Sequence, residues 1–547
     1  MDRELQLLIP YSLFITTVAL FVNPFGVDSF ILPKWWLIVC WLTVVLLLRI
    51  NKGQLQLHRP YYLFLLFVLS FIPSVAAAAS PALFGYKFLC LLALCLTCGL
   101  FDSGKPASRE RIGALLLGLS FLMSLIALLQ HYGWIPPRIA TPLRMQSTVG
   151  NCNFLADFLL FSLLYSLPYA SEKWRGYALA AAAFSGLTVI VAAALTKARG
   201  PLFSFAVCLV LYGLSGAGNG RKKKAAVSIF LVLPLVFAWM HREYFFESWA
   251  RNVRVLTNRI GIELAVEKPF FGHGLGQVPL KYLYRQSAFV AERPTAYWIR
   301  IAGNAKHIHN EHLENICEGG LAAAGFYALF LCYGLRVLKG TPALYSFVFM
   351  QLTMFFNFQF YSPVTALLVL LPFAGGGYFT GRPLEVSRFT SRILLVFSMA
   401  AAFIFSSEMI ADFRLRQAMH SSAENREALL TKALGLRWFS PEHEYFQRGV
   451  LRMQCGEFRE AIAEFLAACG TFTDAGVFYN LGVCYRMTGE PMRAVECLEA
   501  SLWMDSCRKK TFRELAEAYA EINDTVKQEV LSRLFQERFP DESWAGG

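Results

Sequence analysis

Three histidines lie within six residues, at His307, His309 and His312, just ahead of the apolar run 322–338. Ionisable groups at the mouth of a membrane helix are costly, so they predict a functional site. A histidine has an unperturbed pKa of about 6.5 and can take a proton from an attacking hydroxyl near neutral pH. His309 is the best candidate for this general base, because it precedes a predicted helix start at which Asn310 would cap the helix or orient the imidazole.

Three carboxylates follow the histidines, and Glu311, Glu314 and Glu318 recur at a spacing that places them on one helix face. That face cannot look into lipid. Two other interpretations of the histidines remain open. With Glu311, their spacing resembles the zinc-binding pattern of metallo-hydrolases, although further ligands would be needed. They could also cap the helix without doing chemistry. We predict no metal and no cofactor.

Cations gather in two further segments. A short predicted turn holds Lys197 and Arg199, and the region between residues 241 and 311 holds ten basic residues against five acidic ones, Arg254 and Arg259 among them. Arginine forks suit the paired oxygens of phosphate groups, and they neutralise charge that develops on a diphosphate leaving group. The alternative is an amphipathic helix lying on anionic lipid headgroups.

The chain as a whole has the composition of a membrane protein. Of its 547 residues 56% are hydrophobic and 16% are charged, whereas soluble domains carry roughly 25% charged residues. Thirteen apolar runs are about long enough to cross a bilayer. They are 7–23, 33–49, 60–79, 84–101, 112–130, 153–170, 174–195, 200–216, 225–241, 311–338, 343–360, 363–380 and 391–410. We therefore predict an all-α polytopic membrane protein with about twelve or thirteen transmembrane helices.

The basic residues between the runs predict an orientation. With the N-terminus inside, the inner segments hold 18 Lys and Arg residues and the short outer loops hold 6, which follows the positive-inside rule. The net charge of +13 then reflects the basic loops that orient the protein in the membrane and contact its lipids. We therefore expect no nucleic-acid partner. The long loop 241–311 lies outside, as does the C-terminal domain. In a bacterium this means the inner membrane, with the C-terminal domain in the periplasm.

The sequence changes character after the last run, which divides the chain into a transmembrane domain, 1–412, and a charged helical domain, 413–547. Three positions of the second domain recur 33 residues later: Gly449, Gly456 and Ala461 as Gly482, Gly489 and Ala494. The pattern fits tetratricopeptide repeats. We expect an α-solenoid of three to four helical hairpins, which would offer a concave surface to a protein partner.

Four motifs follow one another along the chain. They are Gly150-Asn-Cys-Asn-Phe-Leu-Ala156, Thr196-Lys-Ala-Arg-Gly200, the segment from Arg259 to Gly276, and His309-Asn310 followed after nine residues by Gly320. Taken in order, they resemble the motifs of the O-antigen ligase and polymerase family of bacterial envelope glycosyltransferases. The first has Cys152 where the family has proline, the second has Ala198 where it has serine, and the fourth has Ala323 where the family has its final glycine.

The resemblance implies a metal-independent transfer of a glycan from an undecaprenyl-diphosphate donor to an acceptor hydroxyl at the periplasmic face. It implies that Arg199 binds the diphosphate and that His309 acts at the acceptor. The further candidates for binding diphosphate or glycan are Lys197, Arg254, Arg259, Asn310, Asn151 and Asn153.

The sequence leaves the identity of the acceptor open. It could be lipid A-core, as in a ligase of lipopolysaccharide biosynthesis, a growing glycan, as in a polymerase, or a protein hydroxyl, as in an O-oligosaccharyltransferase. The repeat domain slightly favours a protein acceptor or partner. The alternative outside enzymes is a transporter of lipid or polysaccharide, whose outer cations would guide an anionic substrate.

Overall fold

A computed structural model describes residues 5–50, 55–101, 107–136, 145–173, 175–214, 249–375, 383–539 and 541–542. In these ranges the chain is almost entirely helical, which confirms the all-α prediction. The first group of helices is α1 Leu5–Leu20, α2 Leu32–Ile50, α3 Arg59–Leu69, α4 Pro81–Phe101, α5 Ala107–His131, α6 Cys152–Lys173, α7 Gly176–Leu195 and α8 Arg199–Leu214. The second is α9 Trp249–Glu267, α10 Val278–Glu292, α11 Ala296–Ile301, α12 Glu311–Val337, α13 Ala343–Thr353, α14 Pro363–Leu370 and α15 Arg388–Met419.

Seven of the described helices are long and apolar enough to cross a membrane, and five shorter ones are apolar as well. These twelve match twelve of the thirteen predicted runs. The remaining run, 225–241, lies outside the described residues. Short 3-10 helices, Ile72–Ala77 and Leu371–Phe373, extend two of the helical segments.

The chain between α13 and α14 departs from the predicted pattern. Helix α13 ends at Thr353, seven residues before the predicted end of its run, and the next helix begins at Pro363. Proline disfavours helical backbone in the residue before it and fits the first turn of the helix that follows. The connecting segment 354–362 includes the buried residues Asn357 and Gln359, whose amides need partners inside the protein.

One small sheet joins two connections that the predicted topology places on the inner side. Strand β1, Leu55–Leu57, pairs antiparallel with strand β2, Leu384–Val386, in the register Leu55 to Val386. This pairing brings the start of α3 next to the start of α15, which packs along α2.

The C-terminal region consists of paired helices: α16 Ala423–Leu434, α17 Glu442–Gln454, α18 Phe458–Cys469, α19 Ala475–Met487, α20 Pro491–Met504, α21 Lys509–Glu521 and α22 Thr525–Arg538. The proposed boundary at residue 412 falls inside α15, a single helix of 32 residues. The apolar helix therefore runs into the C-terminal region without an intervening loop.

Two hairpins of this region repeat one packing contact. A Cβ atom added to Gly449 would lie 2.6 Å from the ring of Phe465, and one added to Gly482 would lie 2.5 Å from Leu498. The turns repeat as well, because Gly456, Gly489 and Asn523 all have a left-handed backbone with φ between 57 and 79°. The 33-residue pattern therefore corresponds to hairpins of one geometry.

The described part of the long loop, residues 249–311, is folded and packs against these hairpins. Helix α10 contacts α20, and the Gln286 amide donates to the carbonyl oxygen of Met504 at 2.9 Å. At the end of the loop, Lys306 forms an ion pair of 2.9 Å with Asp474, and Asn304 donates to the same carboxylate at 2.7 Å. The C-terminal region therefore holds the loop that carries the histidines.

Candidate functional site

The segment 354–362 is the point at which the predicted site residues meet. It contacts the turn before α8, helix α9 and the histidine loop. The amide of Glu311 donates to the carbonyl oxygens of Met354 and Asn357, at 2.8 and 3.1 Å. Both carbonyl groups belong to the segment that follows the end of α13 at Thr353. The site has two halves. One lies around the ring of Phe356 and the other around the ring of Phe358.

Two guanidinium groups come together at Phe356. A Cβ atom added to Gly200 would lie 2.6 Å from the Cβ of Phe356, so the start of α8, with Arg199, packs directly against it. Arg254 of α9 donates to the carbonyl oxygen of Phe356 at 3.2 Å and lies over its ring, 5.8 Å from the centroid. Burial lowers the pKa of Arg254, and the positive charge of Arg199 lowers it further. Two neighbouring cations of this kind favour an anion between them.

Lys197 occupies a strained position in the turn before Arg199. Its φ is 56°, in the left-handed region that a side chain with a Cβ atom seldom adopts. The hydroxyl of Thr196 holds the turn, because it accepts from the amide of Ala198 at 3.2 Å and donates to the carbonyl oxygen of Ala193. The Lys197 side chain is exposed, two residues before Arg199.

His309 belongs to the half of the site at Phe358, and it too is strained, with φ of 59°. Its ring meets Phe358 edge to face, with centroids 4.9 Å apart. Burial lowers the pKa of His309 to about 4, and the charges of His307 and Arg254 contribute to the shift. The imidazole is therefore neutral near pH 7 and has a nitrogen lone pair available. Backbone strain of this kind concentrates at functional sites.

His307 stacks flat on Phe358, with centroids 4.2 Å apart and an interplanar angle of 8°. Its Nδ1 lies 3.0 Å from Oε1 of Glu314, and Lys87 forms an ion pair of 2.8 Å with Glu318 and one of 3.7 Å with Glu314. A buried chain of charges therefore orients the imidazole of His307 against the Phe358 ring. The arrangement is that of a histidine oriented by a carboxylate.

The three carboxylates share a buried face of α12, as the spacing predicts. Glu311 accepts from the amide of Phe360 at 3.0 Å, while Glu318 accepts from Lys87 and from the amide of Val278, the latter at 3.4 Å. Each carboxylate therefore contacts protein. They join the loop, α4 and segment 354–362 around the histidines.

The three histidines do not converge on one point. His307 bonds Glu314, His309 contacts Phe358, and Nε2 of His312 lies 3.1 Å from the carbonyl oxygen of Gln351. Among the described residues, no group of three or more His, Cys, Asp or Glu side chains is placed to hold a metal ion.

The asparagines support the site from its edges. Asn310 is the N-cap of α12, accepting from the amide of Leu313 at 3.2 Å, and its amide nitrogen makes a long contact of 3.5 Å with Asn258 of α9. Asn151 accepts from the amide of Asn153 at 2.8 Å and so stabilises the first turn of α6. That turn presents Phe154 to Phe358.

Arg259 lies apart from the arginine pair. It forms an exposed ion pair with Glu263 at 3.2 Å, and Glu263 also accepts from Arg285 at 3.0 Å. On a helix of about 3.6 residues per turn, positions five apart point in different directions, whereas positions four apart share a face. Arg254 and Asn258 share the face of α9 that looks towards the histidine loop.

Helix α12 and the long loop make a close backbone contact at Gly320. Helix α12 is interrupted at Gly320, where φ is 64° and ψ is −161°. The freed amides of Leu321 and Ala322 donate to the carbonyl oxygens of Pro269 and Phe270. A Cβ atom at Gly320 would lie 2.3 Å from the carbonyl carbon of Phe270. Glycine at residue 320 therefore allows the loop and the helix to come into backbone contact.

Several residues of the site are not apparent from motif spacing. Phe356 and Phe358 lie inside a predicted membrane run, and their position follows from the break after Thr353. The buried carboxylate of Asp157 accepts from Asn357 and Gln359 at 2.9 and 2.8 Å and so holds the segment in place. The available signal was two amides close together within an apolar run.

The sequence matches no protein-family model, and none of the curated proteins matches it. The likeness to the ligase and polymerase family therefore depends on the motifs described above.

Proposed function

We propose that this chain is an integral-membrane glycosyltransferase that moves a glycan from an undecaprenyl-diphosphate donor to an acceptor hydroxyl. The observation that carries this proposal is the arrangement along segment 354–362. Arg199 and Arg254 meet at Phe356, and a neutral, strained His309 lies beside Phe358, two residues along the chain. Two neighbouring cations and a neutral imidazole therefore adjoin, which supports a diphosphate site beside a proton acceptor.

The arginine pair supports the donor half of the reaction. As the bond between the anomeric carbon and the phosphate oxygen breaks, its electron pair moves to the diphosphate. Arg199 and Arg254 would bind the oxygens on which this charge grows, and fixed cations in a buried site stabilise such charge strongly. The exposed Lys197 would add a third positive charge.

His309 supports the acceptor half. The acceptor oxygen forms the new bond to the anomeric carbon, and its proton passes to the neutral imidazole. Binding of the diphosphate would bring negative charge close to His309 and raise its pKa from about 4. The site would therefore become more basic when the donor is in place.

The twelve apolar helices support a polytopic membrane protein. In the proposed topology the turn with Lys197, the long loop and the C-terminal region lie on one side. Gly200, just after the turn, and Arg254 of the loop both contact Phe356, and Lys306 of the loop pairs with Asp474 of the C-terminal region. For a bacterium with two membranes, we infer that the protein lies in the inner membrane and that this side is the periplasm.

We infer that the C-terminal hairpins form a tetratricopeptide-like α-solenoid, because one glycine-mediated contact recurs in successive hairpins. Their contacts with α10 and with Lys306 support a role in holding the loop in place. A protein partner on the remaining repeat surface is part of the same proposal.

An in-vitro transfer assay tests the function. Purified full-length protein receives an undecaprenyl-diphosphate glycan with lipid A-core, a glycan or a protein as the acceptor, with EDTA present. Transfer that is lost in Arg199→Ala and in His309→Ala, and kept in Arg259→Ala, is the expected result. Transfer that persists in the first two variants, or no transfer to any acceptor, would refute the proposal. Loss of transfer in EDTA would point to a metal-dependent reaction.

A further inference from the structure

A cavity of about 320 Å³ lies where the membrane helices, the long loop and the C-terminal region meet. None of the residues chosen for the donor site lines it. The long loop contributes Lys306 and His307 to its lining. The other two parts of the chain contribute most of its aromatic walls: Trp35, Tyr86, Tyr361, Phe439, His443 and Phe472. Its volume is near the lower limit of about 300 Å³ for small-molecule pockets, so it suits a ligand of one or two rings.

The cavity adjoins the candidate general base. His307 lines it and stacks on Phe358, and Phe358 contacts His309. Tyr361, another lining residue, meets the His307 ring with centroids 4.9 Å apart. A ligand in the cavity would therefore be separated from His309 only by the layer of rings around Phe358.

The cations in the wall are already paired. Lys87 bonds Glu318, Lys306 bonds Asp474, and Arg437 forms ion pairs with Glu408 at 2.9 Å and with Glu444 at 2.7 Å. A phosphate group would have to compete with these carboxylates. The lining therefore disfavours a strongly anionic ligand.

The carboxylates in the wall offer acceptors to a ligand with several hydroxyl groups. Oε2 of Glu442 accepts from the hydroxyl of Thr471 at 3.1 Å, and Asp412 lies in the same wall. Aromatic faces beside a few hydrogen-bonding groups match the alternating apolar and hydroxyl surfaces of a sugar ring. A lipid chain would instead leave these charged groups without solvent.

We propose that this cavity binds the acceptor as a saccharide of one or two rings that carries no phosphate or carboxylate group. Its role as an acceptor subsite rests on the proposed transfer reaction, whereas saccharide binding itself does not. Because the ring of Phe358 lies between His307 and His309, the reacting hydroxyl would belong to a neighbouring sugar of the same acceptor that extends past His307. The acceptor would then be a glycan terminus.

Saturation-transfer NMR on the full chain in detergent tests saccharide binding without a donor. The probes are N,N′-diacetylchitobiose, lactose, glucuronic acid, glucose 6-phosphate and a serine-containing pentapeptide. Ser440→Trp fills the cavity, since Ser440 lines it, and Lys432→Trp is the matched control because Lys432 is exposed on the same region. Glu442→Gln, which keeps the shape of the side chain, is a second variant in case the larger residue prevents folding.

We expect a response from one of the two neutral disaccharides, with affinity about tenfold weaker in Ser440→Trp and Glu442→Gln and unchanged in Lys432→Trp. No response from either neutral disaccharide, a stronger response from the acidic or phosphorylated sugar, or binding of the peptide alone would overturn the inference. Binding without transfer would refute only the proposed function. If the protein transfers a glycan and the KM for the acceptor is the same in Ser440→Trp as in the unmodified protein, only the acceptor subsite is refuted.

Discussion

Arg254 donates a hydrogen bond of 3.2 Å to the carbonyl oxygen of Phe356. This bond joins the long loop to the break between the apolar helices α13 and α14, and it fixes the guanidinium beside Arg199. The bond uses one nitrogen of the fork, and other N–H groups of the fork can serve a ligand. The position of Arg254 is thus set by the protein before any anion arrives.

Replacing Arg254 should therefore impair the reaction itself. We expect Arg254→Ala to lower kcat by about 10²- to 10³-fold, as does the loss of one preorganised donor to a developing charge. Arg254→Lys should recover only part of the loss, because an ammonium group cannot donate to Phe356 and to two phosphate oxygens in one plane.

Arg259→Ala is the control for this experiment, since Arg259 is on the same helix and forms an exposed pair with Glu263. Exposed pairs contribute about 0–1 kcal/mol, so kcat should change little. Equal losses in Arg254→Ala and Arg259→Ala would mean that the whole helix, and not one guanidinium, binds the donor.

The pH dependence of transfer should report the low pKa of His309. A general base must be neutral, so its contribution falls as the pH falls through its pKa. With a pKa of about 4 in the free protein, kcat/KM should stay level through the neutral range and decline only in strong acid. The acid limb of kcat should lie at higher pH, because the bound diphosphate raises the pKa.

Arg254→Met should move the acid limb of kcat/KM to higher pH, since it removes one of the positive charges that lower the pKa of His309. Arg259→Ala should leave the limb in place. An acid limb at the ordinary histidine pKa of about 6.5 in the unmodified protein would show that His309 is solvated, or that another group is the base.

The long apolar runs could be predicted from sequence because run length is a local property that does not depend on tertiary contacts. The shortened end of α13 could not, because Phe356 and Phe358 are as apolar as any membrane residue. Asn357 and Gln359, ahead of Pro363, were the residues that marked the break. Their partner, Asp157, lies two hundred residues away in the sequence.

The arginines show a second limit. Charge counting could not separate Arg254 from Arg259, since both lie in one basic segment. Their positions around the helix distinguish the two arginines only once the buried face of α9 is known. That face is set by Gly261, where an added Cβ atom would lie 3.0 Å from Ile308. The contact of the C-terminal hairpins with Lys306 had no signal in the repeat pattern.

The break in α12 should require glycine at residue 320. With φ of 64° and a backbone carbon of Phe270 only 2.3 Å from the added Cβ, Gly320→Ala forces the loop away from the helix. We expect a loss of stability of about 3 kcal/mol, measured as a lower melting temperature, together with reduced transfer.

Gly325→Ala, one and a half turns later in the same helix, is the matched control, because nothing lies within 4 Å of an added Cβ atom there. It should be neutral or stabilise the helix by up to about 1 kcal/mol. If Gly320→Ala melted at the temperature of Gly325→Ala, the close contact between helix and loop would not exist.

Glu442 should make the C-terminal region sensitive to pH. Burial raises the pKa of this carboxyl to about 7, so the folded protein keeps a proton that the unfolded chain releases at lower pH. The stabilisation is present in acid and is lost as the pH rises through about 7. Glutamine resembles the protonated form, so Glu442→Gln should raise the melting temperature at pH 8 and have little effect at pH 5. The effect of Glu442→Gln on the free energy of unfolding should differ by about 2 kcal/mol between the two pH values.

Glu424→Gln is the control, since Glu424 is exposed on α16 and its replacement should shift the melting temperature equally at pH 5 and pH 8. A Glu442→Gln protein that melted lower than the unmodified protein at pH 8 would show that the carboxyl is ionised and paired in the cavity wall.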